Sequence, residues 1–324
     1  MRRSASCART TGPARHRLVH TGHVVEILTP RDVPLGGLRA MNVRRTLPQR
    51  QRSLIGAWCF CDHYGPDDLA TSEPMVVPPH PHTGLSTVSW LFSGRIEHRD
   101  SAGNHAMVLP GELNLMTAGR GISHSEYSTA DTTILHGVQL WLALPDAARE
   151  REPGFEHYAP APVDGEGWQA RVFIGSLLGD ASPVVTHSRL VGAELRVRQG
   201  TTLTLDVPAS YEHGVLVDTG AIMLEGDAVD RSELGYLAPG REQITIAASE
   251  DSRVILLGGE PFGEPIVMWW NFIGRDHDEI VGYREQWQSL LASGTDARFA
   301  LADADPRGPL DAPALPNARL RPRT

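Results

Sequence analysis

The chain has 324 residues and a formal net charge of −9, long enough for one large domain or two of ordinary size. Hydrophobic residues make up 41% and charged residues 21%, the balance of a globular protein, and no apolar run approaches the roughly 18 residues of a membrane-spanning helix. All 30 basic residues are arginine, which excludes a Schiff-base lysine, a pyridoxal-phosphate enzyme and a phosphate loop ending in lysine; the acidic surplus argues against binding nucleic acid or an anionic membrane.

At the start, Arg2, Arg3, Arg9, Arg15 and Arg17 precede the first acid, Glu26, without the apolar core of a signal peptide. Residues 1–22 are therefore read as a disordered basic tail and the protein as cytoplasmic. The three cysteines, Cys7, Cys59 and Cys61, suit neither a disulfide framework nor a zinc knuckle. Cys59 and Cys61, two apart, face the same way on a strand and fill core in a reducing compartment.

From about residue 22 the text consists of short β-branched or alternating runs broken by Gly, Pro and Asp. Examples are His23–Leu28, Leu85–Phe92, Val138–Leu144, Arg171–Ile174, Thr201–Val207, Gly214–Val217 and Val254–Leu257. Such runs predict many strands in a barrel or sandwich. Two halves share a rhythm: Ser93-Gly94 and later Leu109-Pro110-Gly111 in the first, Thr219-Gly220 and later Ala238-Pro239-Gly240 in the second. That repetition predicts a small antiparallel jelly-roll barrel used twice. The boundaries follow as 23–150 for the first barrel, 151–168 for a Pro-, Gly- and charge-rich linker and 169–275 for the second barrel. One helix is predicted over 276–294, capped by Asp276 or Asp278, with Ile280, Tyr283, Trp287, Leu290 and Leu291 as its apolar stripe and Gly294 as its stop. Residues 295–324 are read as an irregular tail draped over the surface.

Fourteen histidines are present, and most have ordinary readings. His98, His105, His157, His187 and His277 stand alone among polar neighbours and read as exposed. His63, His136 and His213 sit by apolar runs and read as hydrogen-bonded core imidazoles. Two places differ. In Pro79-His80-Pro81-His82-Thr83-Gly84, two imidazoles one residue apart on an extended segment project to one face. In Gly119-Arg120-Gly121-Ile122-Ser123-His124-Ser125-Glu126, a Gly-rich turn leads into a second such pair, His124 and Glu126. The 41 residues between His82 and His124 leave room for a hairpin and a return strand, so both pairs can meet on neighbouring strands around one cation.

The stretch HPHTGLSTVSWLFSGRIEHRD, followed by PGELNLMTAGRGISHSE and HGVQLWLALP, resembles the pirin family of the cupin superfamily. The likeness covers roughly Val24 to Ile280 and is densest between His80 and Pro145. It implies an all-β bicupin: two face-to-face antiparallel jelly-roll β-barrels with a short C-terminal helix. It also implies one divalent metal ion, most simply Fe(II), held in the first barrel by His80, His82, His124 and Glu126. The second half has no His where the first has His124, so its barrel is expected to hold no metal. Many pirins carry an acid four positions after the second His, where this chain has Ser86.

Mixed imidazole and carboxylate donors suit Fe(II) as well as Mn, Ni, Cu or Zn. Several pirins are similar to quercetin 2,3-dioxygenases, so the resemblance implies a flavonol-like aromatic substrate and O2, with Glu126 as the catalytic acceptor of the flavonol 3-hydroxyl proton. Gln139 and Trp141 are read as candidates for the pocket mouth, with core packing the favoured role for Trp141, and Arg120 as either an anion contact or a loop tie. The alternative is a non-catalytic, iron-containing redox regulator that binds a protein partner, either a transcription factor or a metabolic dehydrogenase. A monomer is expected, since two barrels bury each other's open faces.

Overall fold

The computed structural model describes residues 25–35 and 41–323. The basic tail read over residues 1–22 lies outside the described residues. Strands dominate, as the β-branched runs require. A seven-stranded antiparallel sheet runs in the spatial order Gly154–Tyr158, Leu113–Thr117, Leu85–Ser93, Ile134–Ala143, Trp58–Asp68, Asn42–Leu47, Arg31–Pro34. A four-stranded antiparallel sheet (Val76–His82, Ile122–Ser128, Ile96–Asp100, His105–Val108) completes the first barrel.

The second barrel repeats this arrangement. Its seven-stranded sheet runs Glu26–Leu28, Leu234–Leu237, Glu212–Thr219, Ser252–Gly259, Leu190–Val197, Trp168–Ile174, Val163–Gly165, and Thr202–Asp206, Gln243–Ala248, Ile222–Leu224 and Asp227–Val229 form the four-stranded one. The recurring Gly is structural: Gly94 and Gly220 have φ of 87° and 76°, and a Cβ at either would lie 2.7 Å from a backbone carbonyl oxygen.

The two large sheets pack on each other. Side chains alternate along each strand, so Cys61, Val88, Trp90, Leu115 and Leu140 point out of the first barrel into a core shared with Phe173, Leu216, Ile255 and Leu257 of the second. Trp90 Nε1 donates to Glu194 Oε2 at 2.8 Å and Trp58 Nε1 to the Gly258 carbonyl at 3.2 Å, stitching the barrels together. Cys59 and Cys61 are buried, free thiols, and burial pushes Cys61 up to about 12.

The chain divides less simply than its punctuation predicts. Glu26–Leu28, at the start of the first half, pairs with Leu234–Leu237 and so joins the sheet of the second barrel. The stretch read as a linker carries two short strands. Gly154–Tyr158 extends the first sheet beside Leu113–Thr117, and Val163–Gly165 extends the second beside Trp168–Ile174. Both are edge strands, where Pro, Gly and charge are tolerated and hydrophobic alternation is lost.

The helix runs His277–Ser293, with Asp276 accepting from Glu279 N and Gly294 at φ 78° closing it. Among the described residues no helix is long and apolar enough to cross a membrane. The segment after the helix is irregular, yet it is bound closely to the first barrel. Ser123 Oγ donates to the Ala300 carbonyl at 2.5 Å, Tyr127 OH to Asp305 Oδ1 at 2.6 Å, and Leu310 N to the Pro79 carbonyl at 2.8 Å.

Candidate metal centre

Val76–His82 and Ile122–Ser128 are antiparallel neighbours in a register that sets His124 opposite His80 and Ile122 opposite His82. Period-two alternation turns His80, His82, His124 and Glu126 into the barrel, while Ser123 and Ser125 face the C-terminal segment. A register shift between His124 and Glu126 marks a bulge at the site. The three imidazoles converge: ring centroids lie 4.4 Å apart for His80–His124 and 4.9 Å for both His80–His82 and His82–His124. All four side chains are buried.

Hydrogen bonds fix which ring nitrogen is free. His80 Nδ1 lies 2.9 Å from the Pro78 carbonyl and His82 Nδ1 3.1 Å from the Asn271 carbonyl. A carbonyl only accepts, so each Nδ1 carries the proton and each Nε2 keeps its lone pair. His124 is set through a longer chain: its Nδ1 is 3.4 Å from His98 Nδ1, and His98 Nε2 is 3.2 Å from Asp100 Oδ2. With Asp100 as acceptor, His98 is protonated at Nε2 and accepts from His124 at Nδ1, which leaves His124 Nε2 as a lone pair too. Burial would raise the Asp100 carboxyl, but bonds from His98 and Asn104 outweigh it and hold it below the ordinary range.

Two of these lone pairs, His82 Nε2 and His124 Nε2, face each other at 3.0 Å. That repulsive contact fits two neighbouring ligands of one cation, since donors about 2.1 Å from an ion at right angles sit about 3 Å apart. Burial pushes His80 down to about 4, and burial with the neighbouring imidazoles holds His82 and His124 well below the ordinary histidine value. All three are therefore neutral at pH 7, the form in which imidazole binds a metal.

Glu126 stands to one side of the three imidazoles and shares only His124 with them in a close group. Its carboxylate groups with His124 and His98, and Ser89 Oγ lies 3.3 Å from its Oε1. Burial raises its pKa, with His98 and Ser89 opposing. Ser89 also lies 3.0 Å from Gln139 Oε1. Ser86, at the position where the family pattern often has an acid, is buried against Thr117 Oγ1 at 2.9 Å.

His98 corrects an expectation. Its polar neighbours suggested exposure, yet it is 3% exposed, because Ile96, His98 and Asp100 share the inward face of their strand. His63 and His136 are the core imidazoles expected of them. Their Nε2 atoms lie 2.7 and 2.5 Å from the same oxygen of Asp218, across the barrel interface. This second buried His–His–Asp group has the opposite tautomers: His63 Nδ1 faces Arg44 NH2 at 3.5 Å and His136 Nδ1 faces Arg253 NH2 at 3.4 Å. A guanidinium only donates, so each Nδ1 accepts and each Nε2 carries a proton toward Asp218. This group is a hydrogen-bonded tie between barrels rather than a ligand set. His213 is buried with neither ring nitrogen hydrogen-bonded among the described residues.

A cavity of about 550 Å³ opens onto the imidazoles and Glu126. Gln139 and Trp141 line it, as do Arg45 and Phe60. Sequence reasoning missed its far wall, built by Trp270 and Asn271 and by Leu310, Asp311 and Pro313 of the C-terminal segment. Arg120 is a loop tie: it bonds Glu152 and the Ala297 carbonyl. A larger recess of about 670 Å³ on the second barrel, lined by Trp168, Arg196 and Arg253, lies away from the imidazole cluster.

A jelly-roll barrel built twice, with imidazole and carboxylate donors inside the first copy, defines a bicupin. Residues 39–142 match the Pirin family model and residues 192–291 the Pirin C-terminal cupin domain. A Pseudomonas aeruginosa protein that carries a provisional quercetin 2,3-dioxygenase name is 39% identical over 94% of this chain and 93% of its own. A pirin-like protein of Caulobacter vibrioides is 37% identical over 81% and 91%. The crystal structure of quercetin 2,3-dioxygenase from Acinetobacter baumannii superposes with a TM-score of 0.86 at 37% identity, covering 92% of this chain and 97% of that one. The chain belongs to the pirin family.

Proposed function

We propose that this chain is a metal-dependent dioxygenase that opens the heterocycle of a flavonol with both atoms of O2 and releases carbon monoxide. The observation that carries the reading is the set of three neutral imidazoles with their Nε2 lone pairs converging beside a buried carboxylate and an aromatic cavity. His80, His82, His124 and Glu126 would hold the ion, and imidazole with carboxylate favours Fe(II) while admitting other divalent metals. When bound, such an ion supplies a redox centre with positions open to substrate and oxygen.

The remaining work falls to the chain. Glu126 takes the proton of the substrate 3-hydroxyl. Phe60 and Trp141, stacked at 4.1 Å, form a flat wall for an aromatic ring. Trp270 and the Leu310–Pro313 stretch close the other side and exclude water. The two buried thiols, both unpaired, agree with a cytoplasmic site of action.

The test is oxygen uptake by iron-loaded protein with quercetin, with carbon monoxide measured in equal amount. His124→Ala abolishes both. Fully loaded protein that leaves quercetin intact overturns the reading and favours a regulator that binds a protein partner.

A further inference from the structure

Arg45 lines the same cavity as the donor set, and nothing in the proposed reaction uses it. Its Nε and NH2 are committed to the two oxygens of Asp62, at 2.6 and 2.7 Å, and Asp62 is itself fully buried. NH1 has no hydrogen-bond partner among the described residues. The guanidinium lies 4.2 Å over the Phe60 ring, Phe60 stacks on Trp141, and Trp141 meets His82 edge-on at 5.1 Å. An unbroken aromatic wall therefore runs from this cation to the imidazole cluster.

Register places Arg45 relative to Glu126. Arg45 pairs with Asp62, Asp62 with Gln139 and Gln139 with Ser89, one row across four strands, and Ser89 contacts Glu126. Three strand spacings separate the backbones of Arg45 and Ser89 by about 14 Å. Arg31 is paired opposite Arg45, so two positive charges meet one carboxylate at this end. Asp311 also lines the cavity, on the C-terminal segment whose Leu310 bonds the Pro79 carbonyl.

We infer that Arg45 is a specificity-determining residue that binds an oxyanion at the end of the substrate remote from Glu126. The inference rests on the flavonol-type reading of the site and narrows it. The preferred substrate class is an elongated aromatic of two or three rings whose reacting hydroxyl goes to Glu126 and whose far end carries a carboxylate or phenolate. Asp62 is the positioning residue that holds the guanidinium flat against Phe60.

The test is binding, read by tryptophan fluorescence, of biphenyl-4-carboxylate and its neutral carboxamide to metal-loaded protein and to chelator-stripped protein. A charge-assisted bond predicts a preference of about tenfold or more for the carboxylate in both forms. Arg45→Met removes the preference and Arg45→Lys restores part of it, while the carboxamide binds all three proteins alike. Unfolding midpoints identify any variant that fails to fold, and Arg45→Gln then replaces it. A preference absent from the wild type, unchanged in Arg45→Met, or lost on stripping the metal overturns the inference. Quercetin turnover is not part of this measurement, so the dioxygenase reading and the role of Arg45 fail separately.

Discussion

Replacing Asp100 by asparagine changes one atom of its side chain, and the surrounding donors decide which. Asp100 Oδ1 accepts from Ala102 N at 2.9 Å, Asn104 N at 3.0 Å and Asn104 Nδ2 at 3.1 Å. Asn104 Nδ2 also reaches Oδ2, at 3.0 Å, but the two backbone donors keep an oxygen at Oδ1, so the new amide NH2 takes the place of Oδ2 and faces His98 Nε2. For His98 to bond it, Nε2 must accept, its proton must move to Nδ1, and His124 must then accept at its own Nδ1. The proton of His124 ends on Nε2, the atom that faces His82 and would hold the ion. Loss of such an outer partner lowers metal affinity about 10- to 100-fold, or about 1.4–2.8 kcal/mol. The assay is competition for Fe(II) against a chromophoric chelator under anaerobic conditions, with imidazole nitrogen NMR on the metal-free protein to report the tautomer. An Asp100→Asn affinity within twofold of wild type, with the His124 proton still on Nδ1, would refute the reasoning.

Chelating the metal should lower the melting temperature by about 6 °C if the ion was present at about a thousand times its Kd, the equivalent of about 4 kcal/mol, and calorimetry checks it. Asp218→Ala leaves two imidazole N–H groups and the Arg253 guanidinium without their shared acceptor, and should destabilise the protein by about 3–5 kcal/mol in urea unfolding. His213→Leu removes a buried imidazole with no partner among the described residues and should stabilise by about 1–3 kcal/mol. Burial lowers His213 from 6.5 to about 4, so the unfolded chain binds the extra proton between those values and stability falls as pH drops through that window. The leucine variant should show a flatter profile over the same range, and an unchanged slope would count against the assignment.

Much of the site could be read from period-two spacing alone. His80 with His82 and His124 with Glu126 needed only the assumption of extended backbone, and antiparallel pairing brought the two strands together. His98 obeyed the same rule and was overlooked, because Glu97 and Arg99 made its neighbourhood look wet. The pattern Ile96-x-His98-x-Asp100 already marked an inward face. The cavity's far wall was hidden for a different reason. Residues 295–323 have no apolar period, and scattered contacts hold them: Phe299 and Ala312 bury beside Trp287, Arg298 bonds Gln286, Glu150 and the Arg120 carbonyl, and Asp305 takes the hydroxyls of Ser125 and Tyr127. Single contacts between distant residues leave no trace in local spacing. The exchange of Glu26–Leu28 into the second barrel is equally invisible, since a three-residue strand carries no information about its partner.

The two barrels share one architecture but differ in what their inner faces bury. Along the second, Ala193, Leu195, Val215, Val217, Val254 and Leu256 form an apolar core. The corresponding face of the first carries Asp62, Ser89, Gln139, His80, His82, His124 and Glu126. A row of buried polar groups gives up hydrophobic stabilisation and must be satisfied by other means. Asp62 is paired with Arg45, Gln139 Oε1 with Ser89, and the three Nδ1 atoms with carbonyls or His98, yet among the described residues the three Nε2 lone pairs meet no donor. The first barrel can carry this deficit because its outward face shares the apolar core of the second. One barrel thus supplies the stability that lets the other keep a set of donors poised for a cation.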